Sequence, residues 1–481
     1  MVFKGRTVIA FVLLAMFASS ILTLTIVEPS MFADKRNASA QGGGSDSGLS
    51  SKDLNKITRT YSLIESKYLE PTDHDKIING AINGMISSLG DPFTTYMDEK
   101  EASQFEESLS SSFQGIGAEV SMVDGRVTVV SPIKGSPAEK AGIRANDTIL
   151  SINGEKLDGL TLSQAVMKIR GPRGTQAKLG IVRQGSSDPM DIIVVRGDIP
   201  QETVYSEMMD NGIGKIEIRQ FSENTATRFA QELKSLESQN MRALIIDVRD
   251  DPGGILPVVV SIVEPFVPKG KPIVQIEDRD GKREPTNSKG EGKGYPVTVL
   301  INKGSASASE ILAGAFKEAV GGKVIGETSF GKGTVQVTTE MGDGSNIKMT
   351  EYKWLTPDGN WIHKKGITPD IVVEQPDYFK AVPLDKTKTL KSDMAGEDVK
   401  DLQIMLKGVG LQPGREDGYF DDKTTLAVKS FQRLQNLEMT GQVDSATATK
   451  LEDATIAAIK DPKNDLQLQA AIRYLQGALN K

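Results

Sequence analysis

At 481 residues the chain is longer than one hydrophobic core ordinarily serves, and 38% hydrophobic with 25% charged residues is the make-up of packed domains, about two to four of them. The formal net charge of -7, with no concentrated basic surface, argues against nucleic acid as a partner. The absence of cysteine excludes disulfides, thiolate metal sites and a cysteine nucleophile, and with only His74 and His363 a zinc protease is not expected; no cofactor or metal is implied.

Lys4 and Arg6 precede an uncharged, mainly apolar run from Thr7 to Val27 that ends at Glu28-Pro29. The run is long enough to cross a bilayer, so residues 1–28 are read as a membrane anchor or signal segment, with the remainder sent outside the membrane. Ala38-Ser39-Ala40 offers a small-residue cleavage pattern, but it lies well past the apolar run, which favours an uncleaved anchor over a secreted product. Residues 29–51, with Gln41-Gly42-Gly43-Gly44-Ser45, read as a flexible linker. Over 52–105, Leu54, Ile57, Tyr61, Ile64 and Tyr68 recur at helical spacing, and a second helical pattern runs from His74 to Leu89 before Gly90-Asp91-Pro92. The apolar faces of this pair pack on their own domain or serve a homodimer.

Residues 106–197 carry Phe113-Gln114-Gly115-Ile116-Gly117-Ala118, then Val127-Thr128-Val129-Val130, Gly135-Ser136-Pro137-Ala138, and Asp147-Thr148-Ile149-Leu150 leading to Asn153-Gly154. This order resembles a PDZ domain. The resemblance implies that the N–H groups around Gly115, Ile116 and Gly117 bind the carboxylate of a protein tail. It also implies that the tail adds to the sheet edge beside a helix over Leu162–Ile169. Arg170 and Arg173, just beyond that helix, are candidates to relay tail capture to the rest of the chain; the plainer reading is a favourable partner for the helix dipole.

Over 198–383, strand patterns at Ile213–Ile218, Ala243–Val248 and Val297–Ile301 alternate with helical patterns at Asn224–Leu236 and Glu310–Val320, which predicts an α/β core. Lys303-Gly304-Ser305-Ala306-Ser307-Ala308-Ser309-Glu310 joins a buried strand to a helix, where unpaired N–H groups and the helix dipole favour an oxyanion. A serine there needs a base. Lys332, set between Gly331 and Gly333 where the backbone can pass close to another element, suits that need if burial leaves its amine neutral. The bland alternatives are a Ser-x-x-Glu helix cap and a solvated strand lysine.

The order Gly304-Ser305-Ala306-Ser307-Ala308-Ser309-Glu310, then Gly326-Glu327-Thr328-Ser329-Phe330-Gly331-Lys332-Gly333-Thr334-Val335-Gln336, resembles the C-terminal processing (tail-specific) serine peptidases. The resemblance places the nucleophile at Ser307, the general base at Lys332 and the residue orienting that lysine at Gln336. It assigns the oxyanion hole to Gly253 or Gly254 with Ala308, on a crotonase/ClpP-like α/β peptidase core with an inserted β-rich PDZ domain. The family usually has asparagine before Pro252-Gly253-Gly254; here Asp251 stands there, and its charge opposes an oxyanion unless it points away or pairs with Arg249. Leu355-Thr356-Pro357-Asp358-Gly359 and Gly366-Ile367-Thr368-Pro369-Asp370 match the family's closing segments.

Over 384–453, Leu402-Gln403, Asp417-Gly418-Tyr419-Phe420, Phe431-Gln432 and Gly441 resemble the small all-α peptidoglycan-binding domain, and residues 454–481 are a helix-prone tail. Together these readings imply a membrane-tethered serine endopeptidase facing away from the cytoplasm. It would take protein substrates by free C-terminal tails, bind cell-wall peptidoglycan and act in sporulation or envelope signalling. The rivals are a non-catalytic PDZ and wall-binding scaffold, and an acyl-CoA enzyme on a similar core.

Overall fold

The computed structural model of the chain describes residues 49–480 other than 111, 124, 134 and 184–188. The expected anchor at 1–28 and most of the expected linker lie outside the described residues, among which no helix is long and apolar enough to cross a membrane. Helix α1 (Ser51–Lys67) starts from a Ser50/Asp53 capping box and α2 (His74–Ser87) from Asp73, as Ser and Asp caps favour. Neither helix buries a residue, and Leu54, Ile57, Met85 and Leu89 stand exposed. The chain then enters the body through β1 (Thr95–Met97) and α3 (Glu99–Leu109).

A two-stranded ribbon of β2 (Ser112–Gly115) and β9 (Gly197–Pro200) ties together the entry and exit of the next module. Within it, β3 (Ala118–Val123), β4 (Arg126–Pro132), β5 (Thr148–Ile152), β7 (Gln176–Val182) and β8 (Met190–Val195) form one sheet in the order β3-β4-β5-β7-β8, with the two-residue β6 (Glu155–Lys156) paired to β5. Its own core holds Val129, Ile149, Leu179 and Ile181, and α4 (Leu162–Ile169), capped by Thr161 and Gln164, closes over it with Ala165 and Ile169. The edge strand β3 is left without a partner on one side.

The largest sheet has the order β10-β11-β12-β15-β16-β19, from β10 (Val204–Met209) and β11 (Ile213–Ile218) through β12 (Ala243–Asp247), β15 (Val297–Ile301) and β16 (Lys323–Gly326) to β19 (Ile371–Val372). All its neighbours run parallel except β10 against β11. Parallel sheets are covered on both faces, and every residue of β12 and β15 is buried. Alternation divides the two faces: Leu244 and Ile246 join a core with α5 (Thr225–Ser238), α6 (Leu256–Val263) and α7 (Ala308–Ala315), whereas Ala243 and Ile245 face the other way. There α11 (Leu466–Leu479) seats Leu468, Ala471 and Leu475 on the sheet. The C-terminal tail therefore docks on the body of its own chain.

A second sheet, β1-β18-β13-β14 with β17 also on β18, lies beside the first and contains β13 (Pro272–Glu277), β14 (Arg283–Asn287), β17 (Thr334–Glu340) and β18 (Asn346–Leu355). Three further helices, α8 (Glu397–Gly408), α9 (Asp422–Leu434) and α10 (Ser445–Lys460), pack Leu402, Leu406, Phe420, Phe431 and Leu451 into a separate core. The sequence pairs Gln403/Gly418 and Gln432/Gly441 take matching parts in it: each buried glutamine accepts the N–H of a left-handed glycine and donates to a nearby loop carbonyl.

Candidate active site

Strand β15 ends at Ile301, and the turn that follows is pinned to β12 by Ser305, whose hydroxyl donates to Val248 O at 2.7 Å. The chain then reverses through Ser307 into α7. Ser307 has φ 53° and ψ -111°, a conformation that costs an L residue about 1–3 kcal/mol and that the surroundings must hold in place. The strain is held by Glu310, which accepts the Ser307 N–H at 2.8 Å.

Glu310 does more than cap the helix. Fully buried, its carboxylate also accepts the Ser329 hydroxyl at 2.6 Å, the Gly331 N–H at 2.7 Å and the Lys332 N–H at 2.8 Å. One side chain thus fixes the serine turn and the lysine loop to each other. Burial pushes its carboxyl up, and the four donors oppose that shift. The Ser-x-x-Glu pattern is the signal in the sequence, read there as a local cap.

Lys332 is 2% exposed. Its flanking glycines are required by close approach: a Cβ at Gly331, where φ is 92°, would meet Gly366 N at 2.9 Å, and one at Gly333 would meet His363 N at 2.8 Å. The Trp354 indole N–H donates to the Lys332 carbonyl at 2.7 Å, and Lys332 Nζ stands 5.0 Å from the Phe93 ring centroid. Burial, aided by the positive charge of Lys348, holds the amine well below the usual lysine range against the opposing charges of Glu310 and Asp91.

Ser307, Lys332 and Gln336 line one small pocket with Gly254, Ala308 and Trp354. Among the described residues no hydrogen bond joins the Ser307 hydroxyl to Lys332 Nζ. The Gln336 amide N–H donates to the hydroxyls of Thr334 at 3.1 Å and Thr350 at 3.0 Å, and among the described residues no hydrogen bond joins Gln336 to Lys332. The cause is register: β17 sets Gln336 opposite Thr350 on β18.

The two glycines proposed for the oxyanion hole differ in availability. Gly253 donates its N–H to Asp251 Oδ1 at 2.8 Å, so that group is already engaged. Among the described residues the N–H groups of Gly254 and Ala308 have no hydrogen-bond partner, and both residues line the pocket of Ser307. Of the candidates, Gly254 and Ala308 are thus the pair whose N–H groups are free to receive an oxyanion. Both glycines are still needed: a Cβ on Gly253 would lie 2.9 Å from Ser307 Cβ, and one on Gly254 would lie 2.2 Å from Phe221 O. Asp251 is not paired with Arg249, which bridges Asp247 and Asp465 at 2.6 and 2.7 Å. Burial drives the Asp251 carboxyl well above its usual range, a shift that favours the uncharged form, and its Oδ2 has no partner among the described residues.

The residues at 90–94, read in the sequence only as a helix stop, also reach the site. Asp91 accepts the Phe93 N–H at 3.0 Å and the Thr94 hydroxyl at 2.7 Å, while Phe93 lies against His363 and Lys332. An open cleft of about 890 Å³ runs beside the lysine loop between Phe93, Phe330, Met349 and Trp361.

In the β-rich module the N–H groups of Ile116 and Gly117 are unpaired among the described residues, and both lie between the β2/β9 ribbon and the edge strand β3. Gly117 has φ 76°, and a Cβ there would meet Ser136 Cβ at 2.5 Å. Gly115 is paired with Gly197 in the ribbon. The Arg170 stem passes beside Gly115, with its Cγ 3.7 Å from where a Cβ on that glycine would stand, and its guanidinium lies 3.7 Å from Glu107 of α3 and 4.5 Å from the Phe113 ring centroid, joining the module to the helix that precedes it.

A strained serine at a helix start, a desolvated lysine and two unpaired N–H groups on an α/β sheet, with a separate tail-binding type of module, define a serine peptidase carrying a PDZ domain. The comparisons with known proteins agree. Residues 212–373 match peptidase family S41, 128–183 a PDZ domain, 395–451 a putative peptidoglycan binding domain, and 16–101 the activating protease CtpB N-terminal domain. The chain is 50% identical over 428 residues to the carboxy-terminal processing protease CtpB of Bacillus subtilis (strain 168), covering 88% of this chain and 89% of that one. It is 43% identical over 466 residues to CtpA of the same organism, covering 97% of each. A solved structure, the photosystem II D1 C-terminal processing protease, is 29% identical over 68% of this chain and 87% of its own, with a TM-score of 0.41. The chain belongs to the carboxy-terminal processing serine proteases of peptidase family S41.

Proposed function

We propose that this peptidase works by a Ser-Lys mechanism. Neutral Lys332 takes the proton of Ser307 as the hydroxyl oxygen attacks a peptide carbonyl, and the N–H groups of Gly254 and Ala308 hold the resulting oxyanion. Protonated Lys332 then gives its proton to the leaving amine, and the restored amine activates the water that hydrolyses the acyl-enzyme. The observation that carries this reading is a dry lysine sharing one pocket with a serine at a helix start. The reaction requires substrate to bring Ser307 Oγ and Lys332 Nζ to hydrogen-bond distance.

The PDZ module selects substrates by their C-terminal tails, laid along the edge strand β3 with the carboxylate at Ile116 and Gly117. The apolar run at 7–27 tethers the enzyme at the outer face of the cytoplasmic membrane, or directs its secretion if cleaved, and the α8–α10 module holds it at peptidoglycan. Its role is regulatory proteolysis outside the cytoplasm, such as sporulation signalling. The uncovered apolar faces of α1 and α2 support a homodimer, for which Ile57→Glu should lower the mass seen by sedimentation.

Incubation of the full-length chain with fluorescent casein, beside Ser307→Ala and Lys332→Ala, tests the mechanism. Cleavage by the parent alone is expected; equal cleavage by all three points to a contaminating protease and ends the reading. Lys332→Arg should also be inactive, since a guanidinium keeps its proton.

A further inference from the structure

The mechanism leaves one buried lysine of this site without a task. Lys348 lies on β18 and is 2% exposed. The sheet sets it opposite Thr95 of β1 on one side and Thr338 of β17 on the other. Thr350, two residues along, shares its face of the strand and accepts the Gln336 amide. Lys348 therefore belongs to the Gln336 face of the ribbon. Its ammonium stands 5.1 Å from the Phe105 ring centroid, much as the Lys332 nitrogen stands over Phe93. Among the described residues its nitrogen has neither an ion pair nor a hydrogen bond. An unpaired buried ammonium costs several kcal/mol that an apolar residue of similar shape would not, and such groups cluster where a reaction uses them.

We propose that Lys348 is a positioning residue for peptide hydrolysis: its buried positive charge, carried on the same ribbon face as Gln336, opposes a second positive charge on Lys332 and so keeps that amine free to act as the base. This rests on the reading of Lys332 as the base. The charged and titratable groups whose charge bears on Lys332 are Lys348 from β18, Glu310 from α7, Asp91 from the turn before β1 and His363 from the loop after Trp361; the two carboxylates act in the opposite sense. Asp91 is also the charged group that faces Lys348. Burial brings Lys348 down to about 8, so it keeps its proton at neutral pH, where its charge bears on Lys332. A lysine desolvated beside another cation is an established route to a reactive amine.

The test is the dependence of kcat/KM on pH for casein cleavage by the full-length parent, Lys348→Met, Lys348→Arg and Lys332→Ala. Loss of the neighbouring charge lets Lys332 hold its proton to higher pH. Lys348→Met should therefore move the acid limb up by about one pH unit, a loss of about tenfold on that limb with recovery at alkaline pH. Lys348→Arg should keep the parent's limb. An active Lys348→Met whose limb coincides with the parent's overturns the proposal. If Lys348→Met is inactive throughout, a Lys348→Arg limb at the parent position upholds it, and an inactive or displaced Lys348→Arg overturns it. Turnover by Lys332→Ala would instead overturn the base assignment itself, whereas an inactive Lys332→Ala with an unmoved Lys348→Met limb removes only the role of Lys348.

Discussion

Glu310 receives four donors from two separate loops, a task that only an acceptor-only carboxylate performs, since an amide would turn an N–H toward one of them. Glu310→Gln should therefore lower kcat by about 10²-fold, roughly the 2–3 kcal/mol of a hydrogen bond to a charged group. The pH profile separates this from simple damage. The Glu310 charge raises the proton affinity of Lys332, so its removal should carry the acid limb to lower pH, the reverse of the shift expected for Lys348→Met. Asp251 gives a different signature. Its carboxyl is raised by burial, so its contribution to stability is fully present below the unfolded value of about 3.9 and is lost as pH rises through the folded value. Asp251→Asn keeps an oxygen to accept the Gly253 N–H and has no charge to bury. Thermal melts should show this variant gaining on the parent as pH rises from 4 to 9, with casein cleavage retained; a constant difference in Tm across that range would contradict a buried ionisable Asp251.

At the scale of elements, the α/β alternation and the helical make-up of the C-terminal module were readable from period and turn chemistry, because each is a local pattern, and the β-rich module through its resemblance to a PDZ domain. The serine turn and the lysine loop were readable as well, through the glycines that their close approaches require. What the sequence hid was long-range pairing. The resemblance paired Gln336 with Lys332, and strand register sets its amide against Thr350. Asp91 lies far from the motifs in sequence and reaches the site through the pairing of β1 with β18, whereas Lys348 is brought beside Gln336 by the β17–β18 pairing. The helix-prone tail could dock on the body or on another subunit, and its sequence does not say which surface it covers; α11 docks on the parallel sheet. That helix is joined to the oxyanion loop: Asp465 caps it, accepting the Leu468 N–H, and also holds Arg249, two residues before Asp251. Asp465→Ala leaves Arg249 buried with one partner fewer and should cost about 3–5 kcal/mol in urea unfolding, with loss of activity in step. Leu475→Ala, fully buried on the sheet, should cost about 2–5 kcal/mol. A variant at Asp465 as stable and active as the parent would detach the tail from the site.

Across the whole molecule the peptidase site is assembled from parts distant in the chain. The residues at 90–94 supply Phe93 and Asp91, the parallel sheet supplies the serine turn and Gly254, and the second sheet supplies Gln336 and Lys348. The PDZ module is inserted between the first of these parts and the rest, and Arg170 joins it to α3, so a tail held at β3 lies on a module that is tied to the entry of the site. On the mechanism proposed above, these parts serve one chemical event, transfer of the Ser307 proton to an uncharged Lys332. The most direct measurement is the rate at which a fluorophosphonate, which reacts only with activated serines, labels the full-length chain as a function of pH, with the modified residue read by mass spectrometry. The account predicts a single label on Ser307, a rate that rises with pH through a midpoint below the ordinary lysine value of about 10.4, and no label in Lys332→Ala. Labelling of Ser307 at an equal rate without Lys332 would contradict it.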